Sequence, residues 1–280
     1  MIPKIVHLTC GDFSSLPSEI LRKNQQLERL NPDFQFRYYD DKSMIQWISE
    51  NCDSSTREIF LKINSNYGAA RADLFRYLIL NQIGGVYLDI KSSCKAPFSS
   101  FISSSDRLIT SHWMTDDGKI DSNFGIHLDL LKHRLIEYQQ WFVIAQPYNA
   151  ILTEVIDQVL ANLQKKPNIM NTKFGRVGVL ESTGPIVFTK VVSAFEEGKD
   201  FTLIDSKKCG LLYSIYEKEG KETHYKLFKT HYSQMFEPVV KGTSHSFFLA
   251  TLFNKFIKQY SSRIHLKMYK WSRDTLFTNC

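Results

Sequence analysis

The chain has 280 residues, 43% of them hydrophobic and 23% charged, with 35 lysines and arginines against 29 acids for a formal charge of +6. That balance is the composition of an ordinary globular protein and excludes a disordered polar chain. Apolar runs such as Trp141–Ala145 are far too short to span a bilayer as a helix.

Elements are predicted in chain order from apolar periodicity and turn chemistry. A strand at Lys4–Leu8 is followed by a helix from about Pro17 to Leu30, stopped by Asn31-Pro32. Residues 34–39 alternate as a strand, Asp40-Asp41 open a short helix to about Glu50, and a second helix covers Ser55–Ile63. Next come a helix over 67–82, a strand over 86–90, a serine-rich loop, and strands at Arg107–Ser111, Phe124–Leu128 and Trp141–Ala145. Helices at Asn149–Gln164 and Pro185–Glu196 and strands at Phe201–Ile204 and Leu211–Tyr216 complete the series. Strands alternating with helices argue for an α/β fold with a mostly parallel central sheet and helices on both faces. No linker, repeat or composition break divides residues 1–280, so a single domain is expected.

Ala69–Asp89, AARADLFRYLILNQIGGVYLD, is the most informative segment. It reads as an amphipathic helix with an apolar stripe through Leu74 and Leu78. Asp73 and Arg76, three apart, share another face. Gly84-Gly85 supplies the left-handed turn that reverses the chain into a strand. Val86-Tyr87-Leu88 then carries Asp89 to that strand's carboxyl end, where open α/β sheets bind their ligands.

This segment resembles the sugar-nucleotide-binding region of glycosyltransferases with a DXD motif. That family takes in yeast initiating mannosyltransferases, capsular polysaccharide transferases and the glucosyltransferase domains of clostridial toxins. Asp73, Arg76, Gly84, Gly85, Tyr87 and Asp89 are in register with its pattern, and Ile2–His7 and Thr183-Gly184-Pro185 match it more weakly. The resemblance touches about two thirds of the chain and is specific over 69–91.

The resemblance implies a GT-A-type fold, transfer of a hexose from a nucleotide diphosphate sugar with retention of configuration, and a capsular or lipopolysaccharide product. By the same resemblance, the backbone around Val6, His7 and Leu8 lines the base pocket, and Asp73 meets the ribose or sugar hydroxyls. Arg76 meets the donor sugar or phosphate, and Tyr87 and Gln140 belong to the donor site. Asp89 and His231 serve a divalent cation, Mn²⁺ or Mg²⁺. Asp89, Lys91 and Arg76 are the candidate catalytic residues. Cys10 stands near where relatives have a tryptophan able to stack on the base, so the nucleotide is left open.

Asp89-Ile90-Lys91 departs from the D-x-D pattern. In an extended segment residues two apart point the same way, which would put an ammonium where the second carboxylate belongs. A diphosphate carries roughly two negative charges and is tolerated beside two carboxylates only with a cation between them. Three readings stay open: a cation held by Asp89 and other ligands, a metal-independent site in which Lys91 does part of the cation's work, and a dead site.

Residues 255–280 are basic and interleaved with aromatic and aliphatic side chains. They fit an anionic membrane surface better than nucleic acid, since nothing upstream resembles a nucleic-acid module. A plain C-terminal helix fits equally well. The N-terminal segment has no basic-then-apolar signal pattern, Met1-Ile2-Pro3 leading straight into a strand, and five cysteines without CxxC or zinc spacing suit reduced thiols. A cytoplasmic protein, peripheral on the inner face of the membrane, is expected. Its partners are a nucleotide diphosphate sugar and a saccharide or lipid-linked glycan acceptor. One rival is a non-catalytic sugar-nucleotide or glycan-binding protein with a degenerate DXD site. Another is a membrane-surface protein that kept the fold for its basic tail.

Overall fold

The computed structural model describes residues 1–114, 117–119, 124–165, 173–216 and 235–241. His231 and the basic segment 255–280 lie outside the described residues. The first half of the chain runs β1 (Ile5–Thr9), α1 (Ser18–Leu30), β2 (Gln35–Tyr39), α2 (Asp41–Asn51), α3 (Ser54–Lys62), α4 (Gly68–Gln82), β3 (Gly85–Asp89) and β4 (Ser93–Cys94). The second half runs β5 (Leu108–Thr110), α5 (Leu128–Leu131), β6 (Phe142–Ala145), α6 (Ala150–Gln164), α7 (Gly175–Ser182), α8 (Pro185–Val192), β7 (Thr202–Leu203) and β8 (Leu211–Leu212).

Six strands form one sheet in the order β2-β1-β3-β6-β5-β7, and β4 pairs with β8 in a separate two-stranded arm. β1 is parallel to β2 and β3, β6 is antiparallel to β3 and β5, and β7 is parallel to β5. The mostly parallel α/β architecture is therefore the one expected from the alternation of elements.

Side chains alternate across the sheet into two cores. Val6, Leu8, Val86, Leu88, Phe142 and Ile144 pack with Ile20 and Leu27 of α1. Tyr87, Val143 and Ala145 face the other way, against apolar residues of α2, α3, α4, α6, α7 and α8. The coverage is uneven, with one long helix on the first face and most of the helical mass on the second.

Local chemistry fixes the boundaries that matter. Asp40 and Ser43 form a reciprocal capping box at the start of α2. The Asn149 side chain accepts from the backbone of Ile151 and Leu152 to open α6. α4 ends on Gly84 (φ +75°) and Gly85 (φ +112°), both in conformations that L side chains avoid. A Cβ on Gly85 would stand 2.4 Å from the Ile5 carbonyl oxygen, so β3 can lie against β1 only with glycine there.

Several elements differ from the sequence reading. α4 is not amphipathic: Asp73 and Arg76 are as buried as Leu74 and Phe75, so the helix is enclosed on its polar face too. Residues 124–128 form no strand, because Gly125 takes φ +76° and Trp113 packs where its side chain would be. α8 stops at Val192 and β8 at Leu212, both short of their expected ends. α7 and β4 were not expected. Among the described residues, no helix is long and apolar enough to cross a membrane.

Candidate active site

The parallel pairing of β1 with β3 places Thr9 beside Asp89 at the carboxyl ends of both strands. The Asp89 amide donates to the Trp141 carbonyl at 2.8 Å, so the antiparallel entry to β6 brings Gln140 and Trp141 to the same edge. α4 lies beneath this edge and projects Arg76 into it.

Arg76 organises the site. Its Nη2 is 3.1 Å from Asp73 Oδ1 and 3.3 Å from Asp89 Oδ1. Its Nη1 donates to the Gln140 carbonyl, and its Nε donates to the Ala72 carbonyl at 3.3 Å. The guanidinium carbon sits 4.4 Å from the centre of the Tyr87 ring. Burial alone would lower the Arg76 pKa, yet Tyr87, Asp89 and Asp73 together raise it, so the group stays a cation.

Asp73 is enclosed. Its Oδ1 accepts from Gln140 Nε2 at 2.9 Å and its Oδ2 from Thr183 Oγ1 at 2.8 Å. Burial raises its pKa to about 6 against the pull of Arg76 and these two donors, and Asp89 adds to the rise. Gln140 is itself held by the Tyr77 hydroxyl. The Tyr87 hydroxyl shares a 2.7 Å hydrogen bond with Thr9 Oγ1 and donates to Asp89 Oδ1 at 3.3 Å. Burial raises the Tyr87 pKa, which keeps this hydroxyl neutral. Of the three charged groups, Asp89 is the one open to a ligand: its side chain is 25% exposed, against 5% for Arg76.

The structure thus brings Asp73, Arg76, Tyr87, Asp89 and Gln140 into one hydrogen-bonded group. Three side chains of the first strand do not join them. Val6 and Leu8 are wholly buried in the core. The His7 ring is spent on Tyr39 Oη at 3.2 Å and the Gly84 carbonyl at 3.0 Å, and burial lowers its pKa to about 4. Thr9, at the strand's end, reaches the site instead. Thr183-Gly184-Pro185 is buried, and the amides of Thr183 and Gly184 donate to Val179, so no free donors face outward there. Thr183 contributes its hydroxyl.

Lys91 is not in an extended segment. The Ser92 amide donates to the Asp89 carbonyl at 2.8 Å, closing a turn over 89–92. Its Nζ donates to Tyr213 Oη at 3.1 Å and lies 4.3 Å from the centre of that ring. Tyr213 packs edge-on against Trp113 at 5.0 Å and Trp141 at 5.7 Å. Nothing near Lys91 in sequence announces Tyr213, which comes from the far end of the chain.

A divalent cation needs several hard oxygen ligands. Here the D-x-D pair is reduced to Asp89, whose Oδ1 already faces a guanidinium, with an ammonium in the next turn. No group of three His, Cys, Asp or Glu side chains among the described residues has the geometry to hold a metal ion. The described residues do not fit a cation by themselves.

Residues 17–108 match the model of the glycosyltransferase sugar-binding region containing the DXD motif. An uncharacterized glycosyltransferase of Acanthamoeba polyphaga mimivirus is 22% identical over 211 residues, covering 74% of this chain and 72% of that protein. The initiation-specific α-1,6-mannosyltransferase of Candida albicans is 26% identical over 65% of this chain and 49% of its own length. A mannosyl phosphorylinositol ceramide synthase of Saccharomyces cerevisiae is 32% identical over 34% of this chain and 24% of its own. The chain thus spans half or less of these fungal relatives. Among solved structures, the PaToxG glycosyltransferase aligns with a TM-score of 0.49 at 17% identity, over 69% of this chain and 68% of that one. The UDP-bound glycosyltransferase domain of the YGT toxin aligns with a TM-score of 0.49 at 10% identity, over 79% and 82%. Residues 17–108, which hold Asp73, Arg76 and Asp89, are thus similar to the sugar-binding region of the DXD-type glycosyltransferases.

Proposed function

We propose that this chain moves a hexose from a nucleotide diphosphate sugar to a hydroxyl of a saccharide or lipid-linked acceptor, at a GT-A-type site built on Asp73, Arg76 and Asp89. The observation that carries the reading is the buried pairing of Arg76 with two carboxylates at the carboxyl ends of β1 and β3. Such a pairing holds the open Asp89 carboxylate as a fixed acceptor for sugar hydroxyls, with a buried cation behind it, and needs no reorganisation at the moment of reaction. Retention of configuration and a surface glycan of the capsular or lipopolysaccharide kind belong to the proposal through the resemblance. Several relatives are named as mannosyltransferases, so a mannosyl donor heads the list to be tested. Peripheral attachment to an anionic membrane through residues 255–280 is part of the same proposal and would bring the site to a lipid-linked acceptor.

The test is release of nucleotide from GDP-mannose, UDP-glucose, UDP-galactose and UDP-N-acetylglucosamine, with thermal stabilisation by each donor measured in parallel. Release from one donor supports the reading. The Lys91 departure favours a second reading, a sugar-nucleotide-binding protein without turnover, which predicts stabilisation by a donor and no release.

A further inference from the structure

We propose that Lys91, seated on Tyr213, takes the place of the divalent cation at the leaving diphosphate, so that donor binding and transfer need no metal ion. The proposal deepens the reading of the site as a sugar-nucleotide transferase and rests on it. Three observations support it.

Charge comes first. Asp73, Asp89, Arg76 and Lys91 sum to zero, whereas a second aspartate in place of Lys91 would leave the same set at minus two. A diphosphate entering the charge-neutral set meets no excess of negative charge that a cation would have to offset. The replacement moves the local field by about two units in the direction the phosphates prefer.

Position comes second. Among the described residues no carboxylate pairs with the Lys91 ammonium, which donates to the Tyr213 hydroxyl at 3.1 Å. A lysine held by a phenol and a ring face keeps its full charge available to an anion. A lysine paired with an acid would not.

Rigidity comes third. The segment that carries Tyr213 is joined to the turn that carries Lys91. The Ser92 hydroxyl donates to the Tyr213 carbonyl at 2.7 Å, and the Ile215 amide donates to the Lys91 carbonyl at 2.9 Å. β4 continues the contact by pairing with β8. Trp141 packs on Tyr213 while its carbonyl accepts from the Asp89 amide, so one residue fixes both the acid and the seat of the lysine. A cation at the tip of a long side chain is useful at a leaving group only if its position is set beforehand, and this socket sets it.

In the transfer itself, the bond from the anomeric carbon to the β-phosphate oxygen breaks, and its electron pair leaves with the nucleoside diphosphate. The acceptor oxygen forms the new bond to the same carbon and gives its proton to the departing phosphate. Lys91 takes no proton and forms no bond; it lowers the cost of the charge that gathers on the leaving oxygens.

The experiment uses the full chain with the donor panel above, with EDTA, Mg²⁺ or Mn²⁺. Release from the accepted donor is expected to be unchanged in EDTA. Lys91→Met should lower release by about 100-fold, the loss typical of one transition-state charge partner, while Lys91→Arg should recover part of it. Tyr213→Phe, which keeps the ring and removes the hydroxyl, should fall between wild type and Lys91→Met. Lys91→Asp, which restores the D-x-D pair, should become dependent on Mn²⁺. Release abolished by EDTA in wild type, or undiminished in a folded Lys91→Met chain, overturns the proposal and leaves the transferase reading standing. Silence with every donor, with and without cation, overturns both.

Discussion

Arg76 Nη2 stands 3.3 Å from Asp89 Oδ1, where the buried middle of α4 meets the open edge of the sheet. The Tyr87 hydroxyl donates to the same oxygen. Both contacts fall on Oδ1, so the strand-end carboxylate enters the site with one oxygen fixed by α4 and β3. A residue that looks like a free acid in the sequence is half of a salt bridge formed across the helix–strand boundary.

Removing the arginine should therefore cost the fold as well as the site. Arg76→Met leaves Asp73 buried without a cation, and loss of one partner from a buried pair destabilises by roughly 3–5 kcal/mol. Urea unfolding should show the midpoint falling by that equivalent, with the slope unchanged. A midpoint within error of wild type would contradict the buried pairing.

Gly85 should tolerate no side chain. Its φ of +112° and the 2.4 Å approach to the Ile5 carbonyl mean that Gly85→Ala must push β3 off β1. Gly11→Ala, where a Cβ would meet nothing within 4 Å, serves as the comparison. Melting temperatures should drop steeply for the first and stay near wild type for the second.

His7 and Asp73 should pull stability in opposite directions across mildly acid pH. The His7 pKa falls from 6.5 to about 4 on folding, so the unfolded chain binds more protons in that window. Its contribution is present above about 6.5 and lost as pH falls toward 4, with a ceiling of about 3 kcal/mol at 1.36 kcal/mol per unit. The Asp73 pKa instead rises from 3.8 to about 6, so the folded chain binds more protons. Its contribution favours the folded state at the acid end and fades as pH rises through 6. Melting temperatures of His7→Gln, taken relative to wild type, should fall from pH 4 to pH 6.5, and those of Asp73→Asn should rise. Slopes of the same sign would contradict the two opposed shifts.

The basic segment is open to a direct test. Vesicles containing anionic lipid should bind the full chain and release it as salt rises, since exposed charges are screened within about 8 Å at physiological ionic strength. A chain ending at residue 254 should not bind. Equal binding by both would remove 255–280 as the anchor.

The sequence made local features readable and hid those that depend on distant partners. Asp40 and Asn149 announce their helices because their caps lie within three residues of the groups they satisfy. Gly84-Gly85 announces the helix–strand reversal for the same reason. The burial of Asp73 and Arg76 could not be read locally, because their partners Asp89, Gln140 and Thr183 come from three separate stretches of chain. Lys91 misled through an assumption of extended geometry, whereas Ser92 folds the chain into a turn and Tyr213 takes up the ammonium. α7 was missed because GRVGVLES has two glycines and no side-chain cap, so its helix comes from packing. Val6, His7 and Leu8 carry the match to the family's first strand; their side chains are core, and Thr9 is the residue of that strand whose side chain reaches the site.

The most direct measurement is the rate of nucleotide release by Asp89→Asn beside wild type, with the donor that wild type accepts and with both melting temperatures recorded. With Arg76 still paired to Asp73, losing the quarter-exposed Asp89 carboxylate should change stability little, while loss of its charge should lower release by at least about 100-fold. A folded Asp89→Asn chain that releases nucleotide at the wild-type rate would contradict the assignment of this site.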